Sequence, residues 1–311
     1  MTAVNPGRLD LRLGYSMLFA TTSHVAECPD LGPQCASPTP PVPYNHHVDL
    51  FMSEVSLDGS YGITPWLAVE ARLALRIVDV TPTYSELDGT SKLVPDDIHH
   101  HDQTLVGPSD PWLVLRLGAA NGNLVTSARL GVTLPIGRTE PDPYALGARG
   151  ESHEHIQLGT GTFVPIVGAG VSYATDSVHL SLAALGLFSI YENGEGFRAP
   201  NRYIVTTRVA LPFAEGSILP YAVADLTHES EEFWNGAPGL EGSNVRTEIL
   251  VGAGVSWEFA APWRAEIGLR ARVAQLTDAA SFDYPGLLQL GLSTQFDLQG
   301  EPAPHHAAPS P

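Results

Sequence analysis

Residues 251–270 read VGAGVSWEFAAPWRAEIGLR, and the strand that ends this stretch carries its charges at alternate positions: Arg264, Glu266, Arg270 and Arg272, with Gly268 between. Ala265, Ile267, Leu269 and Ala271 fill the intervening places. A period of two gives a β-strand one polar and one apolar face. A soluble sandwich would bury the apolar face against a second sheet. A membrane barrel would turn it to lipid and turn the charges to the lumen. Residues 167–186, VGAGVSYATDSVHLSLAALG, repeat the same strand–turn–strand plan.

The rest of the chain extends the pattern. Between Arg8 and Thr21, Arg8, Asp10, Arg12, Gly14 and Ser16 share one face, while Leu9, Leu11, Leu13, Tyr15, Met17 and Phe19 share the other. Further strand pairs flank the short turns YGITPW (61–66), AANGN (119–123), YATDS (173–177), FAEGS (213–217) and FAAPW (259–263), and a last strand reads GLLQLGLSTQFDL (286–298). Long polar segments separate the pairs: His24–Asn45, Tyr84–Pro108, Thr139–His155, Glu192–Pro200, Ser230–Asn244 and Thr277–Asp283. Short turns at one end and long segments at the other suit an outer-membrane barrel. A sandwich mixes connection lengths at both ends.

Two further features favour the membrane. Trp66, Tyr173, Phe213, Tyr221, Trp257, Phe259 and Trp263 cluster beside the short turns, as an interfacial girdle requires. Glycines recur on the polar face (Gly131, Gly168, Gly170, Gly252, Gly254, Gly268 and Gly291), where a closing wall needs room for neighbouring arginines. The expected fold is all-β: one closed antiparallel transmembrane β-barrel over residues 1–298, of about twelve strands. It has short periplasmic turns and long extracellular loops, and a disordered Pro/Ala-rich tail follows at 299–311. The rival is a soluble secreted barrel or sandwich that binds a ligand.

Bulk properties are compatible. The 311 residues carry a formal charge of −18, which argues against nucleic acid, since such binding needs clustered positive charge. No apolar run reaches the roughly 20 residues of a membrane helix, and strands leave no such run. The first twenty residues do not read as a signal peptide, so the membrane reading expects a leader outside this sequence. Cys28 and Cys35, the two cysteines, stand in the Pro/Gly-rich stretch CPDLGPQC. A disulfide between them and an oxidising compartment are expected.

Gln289, Gly291, Thr294 and Phe296 in QLGLSTQF resemble the C-terminal signal read by the bacterial outer-membrane assembly machinery, which would make that machinery a partner alongside membrane lipid. Three internal stretches resemble the meta-pathway phenol-degradation family of bacterial outer-membrane proteins. GPSDPWLVLRL (107–117) is similar to that family's Gly-x-x-Asp-x-x-Leu-x-x-Arg strand start, LGVTLPIG (130–137) to its Leu-Pro-x-Gly strand end, and LGTGTFVPIVGAGVSY (158–173) to its Leu-Gly-Thr-Gly-Ser entry. The resemblance runs from Gly107 towards the C-terminus. It implies a porin-like transporter for small solutes, aromatic ones among them, and carries over no catalytic residues.

The expected lumen lining is Arg12, Arg72, Arg76, Arg116, Arg129, Arg208, Arg246, Glu248, Glu258, Arg264, Glu266, Arg270 and Arg272, with Asp10, Glu54, Asp58, Glu70, Asp225 and Arg202 beside them. Such a wall is either a narrow channel with weak anion preference or a salt-bridged filling that fixes the barrel's shape. Histidines and acids crowd the first three long segments: His46, His47, His99, His100, His101, His153 and His155, with Asp96, Asp97, Asp102, Glu151 and Glu154. Imidazole with carboxylate suits Zn, Cu or Ni, so a metal-binding rim is the alternative function; plain loop decoration is the other reading. No cofactor is required for permeation. His179 and Ser181 share a face without a third partner, so no enzyme is expected.

Overall fold

The computed structural model describes residues 4–26, 43–90, 102–149, 151, 153–239, 245–276 and 282–298. In chain order the strands are β1 (Arg8–Ala26), β2 (Tyr44–Thr64), β3 (Leu67–Ser85), β4 (Gln103–Pro108), β5 (Trp112–Asn121), β6 (Leu124–Thr133), β7 (Pro165–Ala174), β8 (His179–Leu187), β9 (Phe197–Arg198), β10 (Arg202–Ala210), β11 (Ile218–Glu229), β12 (Phe233–Trp234), β13 (Ala237–Pro238), β14 (Arg246–Ala260), β15 (Trp263–Gln275) and β16 (Gly286–Asp297). One antiparallel sheet runs from β2 through β1 and β16 round to β3, and the β2–β3 pairing closes it. Along β3, β5 pairs with Leu67–Arg72 and β4 with Leu75–Val80, so β4 and β5 form one interrupted stave and the barrel has twelve. Arg8 lies opposite Asp297, which puts both ends of the barrel at the short-turn side.

Closure into one sheet excludes the sandwich, and exposure answers which face is outside. Leu13, Leu57, Leu73, Leu115, Leu130, Leu182 and Leu269 lie on the outer surface, Leu269 at 61% exposure. An apolar band of this kind is costly in water at about 25 cal/mol per Å² and matches hydrocarbon. In the closed sheet neighbouring staves pair antiparallel all the way round, which meets the bilayer's demand for internal backbone pairing. Trp66, Tyr173, Phe213, Trp257, Phe259 and Trp263 are exposed near the short turns, where the girdle is expected. Tyr221 is a correction to that girdle. It is buried and pairs with Ala210 and Gly254, on the inward parity of β11.

The long-segment side is more ordered than a loop reading implies. β1, β2 and β3 run on into the expected first and second long segments, and β4 forms within the second. Over this extension the alternation inverts. In the lower part of β2, Glu54, Ser56, Asp58 and Ser60 face inward while Val55, Leu57, Tyr61 and Ile63 face out; higher up, Tyr44, His46, Val48 and Leu50 are buried inside and Asp49 is exposed outside. The β2–β3 register is unbroken from Asn45 to Gly62. The backbone parity therefore stays fixed while the surroundings exchange. On the outer surface the rings of Phe19 and Phe51, 5.0 Å apart, stand at the changeover. Inside, Ala20, Val48, Leu50, Val78, Val80, Leu105, Leu158, Leu250 and Tyr284 form an apolar cluster, joined by Ile156 and Phe282.

Two small elements sit among the other long segments. Asp142 caps the helix α1 (Pro143–Gly147) by accepting from the N–H groups of Tyr144 and Ala145, as an N-cap aspartate does. β12 pairs with both β9 and β13, and Asn235 donates to Asp142, tying this small sheet to the helix.

Candidate functional site

The lumen is built by the inward parity of the staves. All thirteen charged residues expected to line it do face inward, and all are ion-paired. Arg72 reaches Glu54 at 2.6 Å and Asp58 at 3.1 Å, and Arg76 reaches Glu54 at 2.9 Å. Glu70 holds two guanidiniums, Arg116 at 2.6 Å and Arg129 at 2.8 Å. Arg264 pairs with Glu258 at 3.0 Å, and Arg272 with Glu248 at 3.1 Å and with Asp283. Arg246 pairs with Glu229 at 2.8 Å. Arg270 Nε lies 2.7 Å from Asp225, an ion pair outside hydrogen-bond geometry. Glu266 is shared more loosely, 3.4 Å from both Arg12 and Arg208. Partly hydrated pairs of this type contribute roughly 1 kcal/mol or less each, so they set shape and field more than stability.

Glycine provides the room. A Cβ at Gly291 would stand 2.9 Å from Arg12 Nη2, and one at either Gly254 or Gly268 would stand 2.4 Å from Tyr221 Oη. The Tyr221 ring therefore lies across two neighbouring strands, with the Arg208 guanidinium 3.7 Å from its centroid. A tyrosine in register with glycines on the polar face was the available signal for this inward ring.

Two cavities lie in the lumen among the described residues. The lower, about 730 Å³, has a charged wall with Asp10, Arg12, Asp58, Glu70, Arg72 and Arg129 and an apolar wall with Val114, Ile166, Ala183, Leu185 and Ile204. The upper, about 570 Å³, is lined by Glu54, Arg76, Arg202, Glu229 and Arg246 together with Phe197, Leu187 and Phe282. Arg72, Trp112 and Ile204 border both, and the Arg72 guanidinium lies 5.8 Å from the Trp112 ring. The charged reading of the lumen missed the apolar wall. It comes from β7, β8 and β10, where Ile166, Ala183, Leu185 and Ile204 occupy inward positions opposite outward Val167, Leu180, Leu182 and Val205.

The three family-like stretches meet at one carboxylate. Asp110 is buried at the break between β4 and β5. Its Oδ1 accepts from the Gly137 N–H at 2.8 Å, and its Oδ2 accepts from the N–H and Oγ1 of Thr160, both at 2.7 Å. Gly137 and Gly159 pass so closely that a Cβ on Gly159 would stand 2.5 Å from the Gly137 Cα. This lock pins residues on both sides of α1 to the stave junction, where β4 has one edge on β3 and no other strand partner among the described residues.

The rim histidines separate into groups. His46 and His47 lie on β2 rather than in a loop, and strand parity points them to opposite faces. His46 is fully buried and stacked on Tyr84, and His47 lies 3.2 Å from Asp49 outside. His153 and His155 do come together, with ring centroids 5.0 Å apart, and His155 lines the upper cavity. Among the described residues no group of three or more His, Cys, Asp or Glu is arranged to hold a metal. His99, His100 and His101, Cys28 and Cys35, and the tail 299–311 lie outside the described residues. Between the two paired histidines, burial pushes the Glu154 carboxyl above its ordinary range, aided by Glu140. N–H donation from Ile156 and His155 and the Gln103 amide pull it back.

No family model matches the chain, and no curated protein matches its sequence. Solved structures do resemble it. The COG4313 outer membrane channel from Pseudomonas putida F1 superposes with a TM-score of 0.62 at 12% identity, covering 95% of this chain and 97% of that one. The Pseudomonas putida toluene transporter TodX gives 0.45 at 11% identity, over 95% and 91% of the two chains. The first likeness is one of fold, and with the apolar outer band it identifies the chain as an outer-membrane β-barrel.

Proposed function

We propose that this barrel passes small solutes by passive permeation, with a weak preference for anions. The observation that carries the reading is the pair of cavities stacked along the lumen and meeting at Arg72, Trp112 and Ile204. A barrel filled for rigidity alone would have no reason to keep about 730 Å³ open beside an ion-paired wall. The anion preference rests on carboxylates such as Glu70 and Glu266, each shared between two arginines, which leaves local positive excess. The motifs around Asp110 favour the phenol-degradation type of transporter, whose solutes would be small and aromatic. Osmotic swelling of proteoliposomes in small neutral and anionic solutes is the test. Swelling is expected, faster for the smaller solutes; rates equal to those of protein-free liposomes contradict the proposal.

A second reading, capture of Zn, Cu or Ni at the rim, draws on the adjacency of His153 and His155. Calorimetry with Zn²⁺ on the wild type and on a variant with His99, His100, His101, His153 and His155 replaced by Ala tests it. Equal heats would reduce these side chains to rim decoration.

A further inference from the structure

The lower chamber combines two unlike walls around one incompletely paired cation. We propose that it is a binding site for small organic monoanions with an apolar body, with Arg12 taking the anionic group and Ala183, Leu185 and Ile204 taking the body. This deepens the permeation reading and rests on it.

The charge argument singles out Arg12. Four arginines border this chamber. Arg8, Arg72 and Arg129 each have a carboxylate within 2.9 Å, whereas the nearest carboxylate oxygen to Arg12 is 3.4 Å away. That carboxylate, Glu266, also serves Arg208 at 3.4 Å, so neither guanidinium has it to itself. The Arg12 side chain keeps 40% of its surface exposed. A guanidinium offers five N–H donors in a planar fork, and one long contact leaves most of them for a ligand carboxylate, which binds such a fork in bidentate fashion. The chamber's other carboxylates repel less than their number suggests, because Asp10, Asp58 and Glu70 are each held by arginine at 2.6–3.1 Å.

The apolar argument sets the rest of the ligand. Val114 and Ile166 are buried together with Val164 and Leu187, and Leu185 and Trp112 pack against them. The Ala183, Leu185 and Ile204 side chains, backed by buried Val114 and Ile166, present no donor or acceptor to a ligand's body. A fully hydrophilic anion would gain nothing from them, and a neutral hydrocarbon would gain nothing from Arg12. A molecule with both parts gains from each, as ligand sites with a mainly apolar lining and few placed polar groups do.

Calorimetric titration of cyclohexanecarboxylate into proteoliposomes of the full chain, blanked against empty liposomes, reads the site without requiring current. Saturable one-to-one binding is expected, with acetate and cyclohexanemethanol each at least about tenfold weaker. Arg12→Gln should lower the affinity about tenfold or more, Arg12→Lys should retain part of it, and Glu266→Gln should raise it by removing the competing carboxylate. Heat-modifiable migration on gels confirms that each variant is folded. Equal binding of the acid and the alcohol, an unchanged affinity in folded Arg12→Gln, or no saturable binding would overturn the site. Binding without swelling or conductance would leave the site standing and sink the permeation reading, and the reverse result would do the opposite.

Discussion

His46 and Ser60 lie on the same strand, in one register and on the same inward parity, in opposite worlds. Around Ser60, in the lower span, the inward face is hydrated and ionic and the outward face is apolar. Around His46, in the upper span, the inward face is a dry cluster and the outward face carries His47 and Asp49. The same inversion occurs along β3, where Arg72 and Arg76 give way inside to Val78 and Val80, while outside Leu73 and Leu75 give way to Asp79. The comparison teaches that strand parity fixes only which residues are together. Whether a face is apolar depends on what lies against it, and the point of exchange marks the edge of the bilayer.

The largest expected effect belongs to the lower span. Leu269→Arg places a guanidinium against lipid at a cost of about 2–4 kcal/mol and should abolish the folded, heat-modifiable form. Arg270→Gln, one residue away and facing in, should fold, because Asp225 keeps its 2.6 Å bond from Thr206 Oγ1. If both fold equally, the apolar face is not against lipid.

At the junction of the two spans, Asp110→Ala takes the carboxylate acceptor from the N–H groups of Gly137 and Thr160 and from Thr160 Oγ1, which keeps the Thr162 carbonyl. A loss of about 3 kcal/mol is expected, with trypsin newly cutting at Arg138 or Arg149 while the membrane staves stay protected. Persistent resistance would show that the lock does not hold this segment.

The upper span gives a contrasting pair. Val78→Asp puts a charge into the dry cluster and should cost about 3 kcal/mol locally, read as protease sensitivity of the β1–β3 extension, yet the barrel should still insert. Asp79→Asn on the outer face should change stability by no more than about 0.5 kcal/mol. Failure of Val78→Asp to insert would place that level inside the bilayer.

Much of the lower span was legible in the sequence, since period-two alternation names both faces of a strand. The short turns and Arg-rich inward positions follow directly from it, and so do the glycines that clear space for Arg12. The upper inversion was harder to read, because TSHVA and YNHHVDL look like polar loop when their inner partners lie elsewhere in the chain. Tyr221 was misplaced for a similar reason: proximity to a turn suggested the girdle, but parity with Gly254 decided its direction. The apolar chamber wall escaped notice because strands with two apolar faces carry no contrast. The motifs containing Asp110, Gly137 and Thr160 were visible as resemblances, and their meeting at one carboxylate is a long-range contact that spacing alone does not give.

The smallest expected effect is pH-dependent and confined to the rim. Because burial raises the Glu154 value in the folded protein, its ionised form costs stability at neutral pH. That cost is relieved as pH falls through the raised value. Protection against hydrogen exchange of the Leu158 amide, which donates to the Arg138 carbonyl rather than to Glu154, should therefore increase on mild acidification, by about a few tenths of a kcal/mol after solvent screening. Glu154→Gln should flatten this response; an unchanged slope would assign it to the neighbouring histidines.

Permeation through the ion-paired lumen is tested most directly by single-channel recording of the full chain in planar bilayers under a KCl gradient. The account predicts small, discrete conductance steps with a reversal potential displaced modestly towards that of chloride. Trp112→Ala should raise the step size about twofold by widening the passage between the chambers. Silence of folded wild-type protein, or steps indifferent to Trp112, would contradict it.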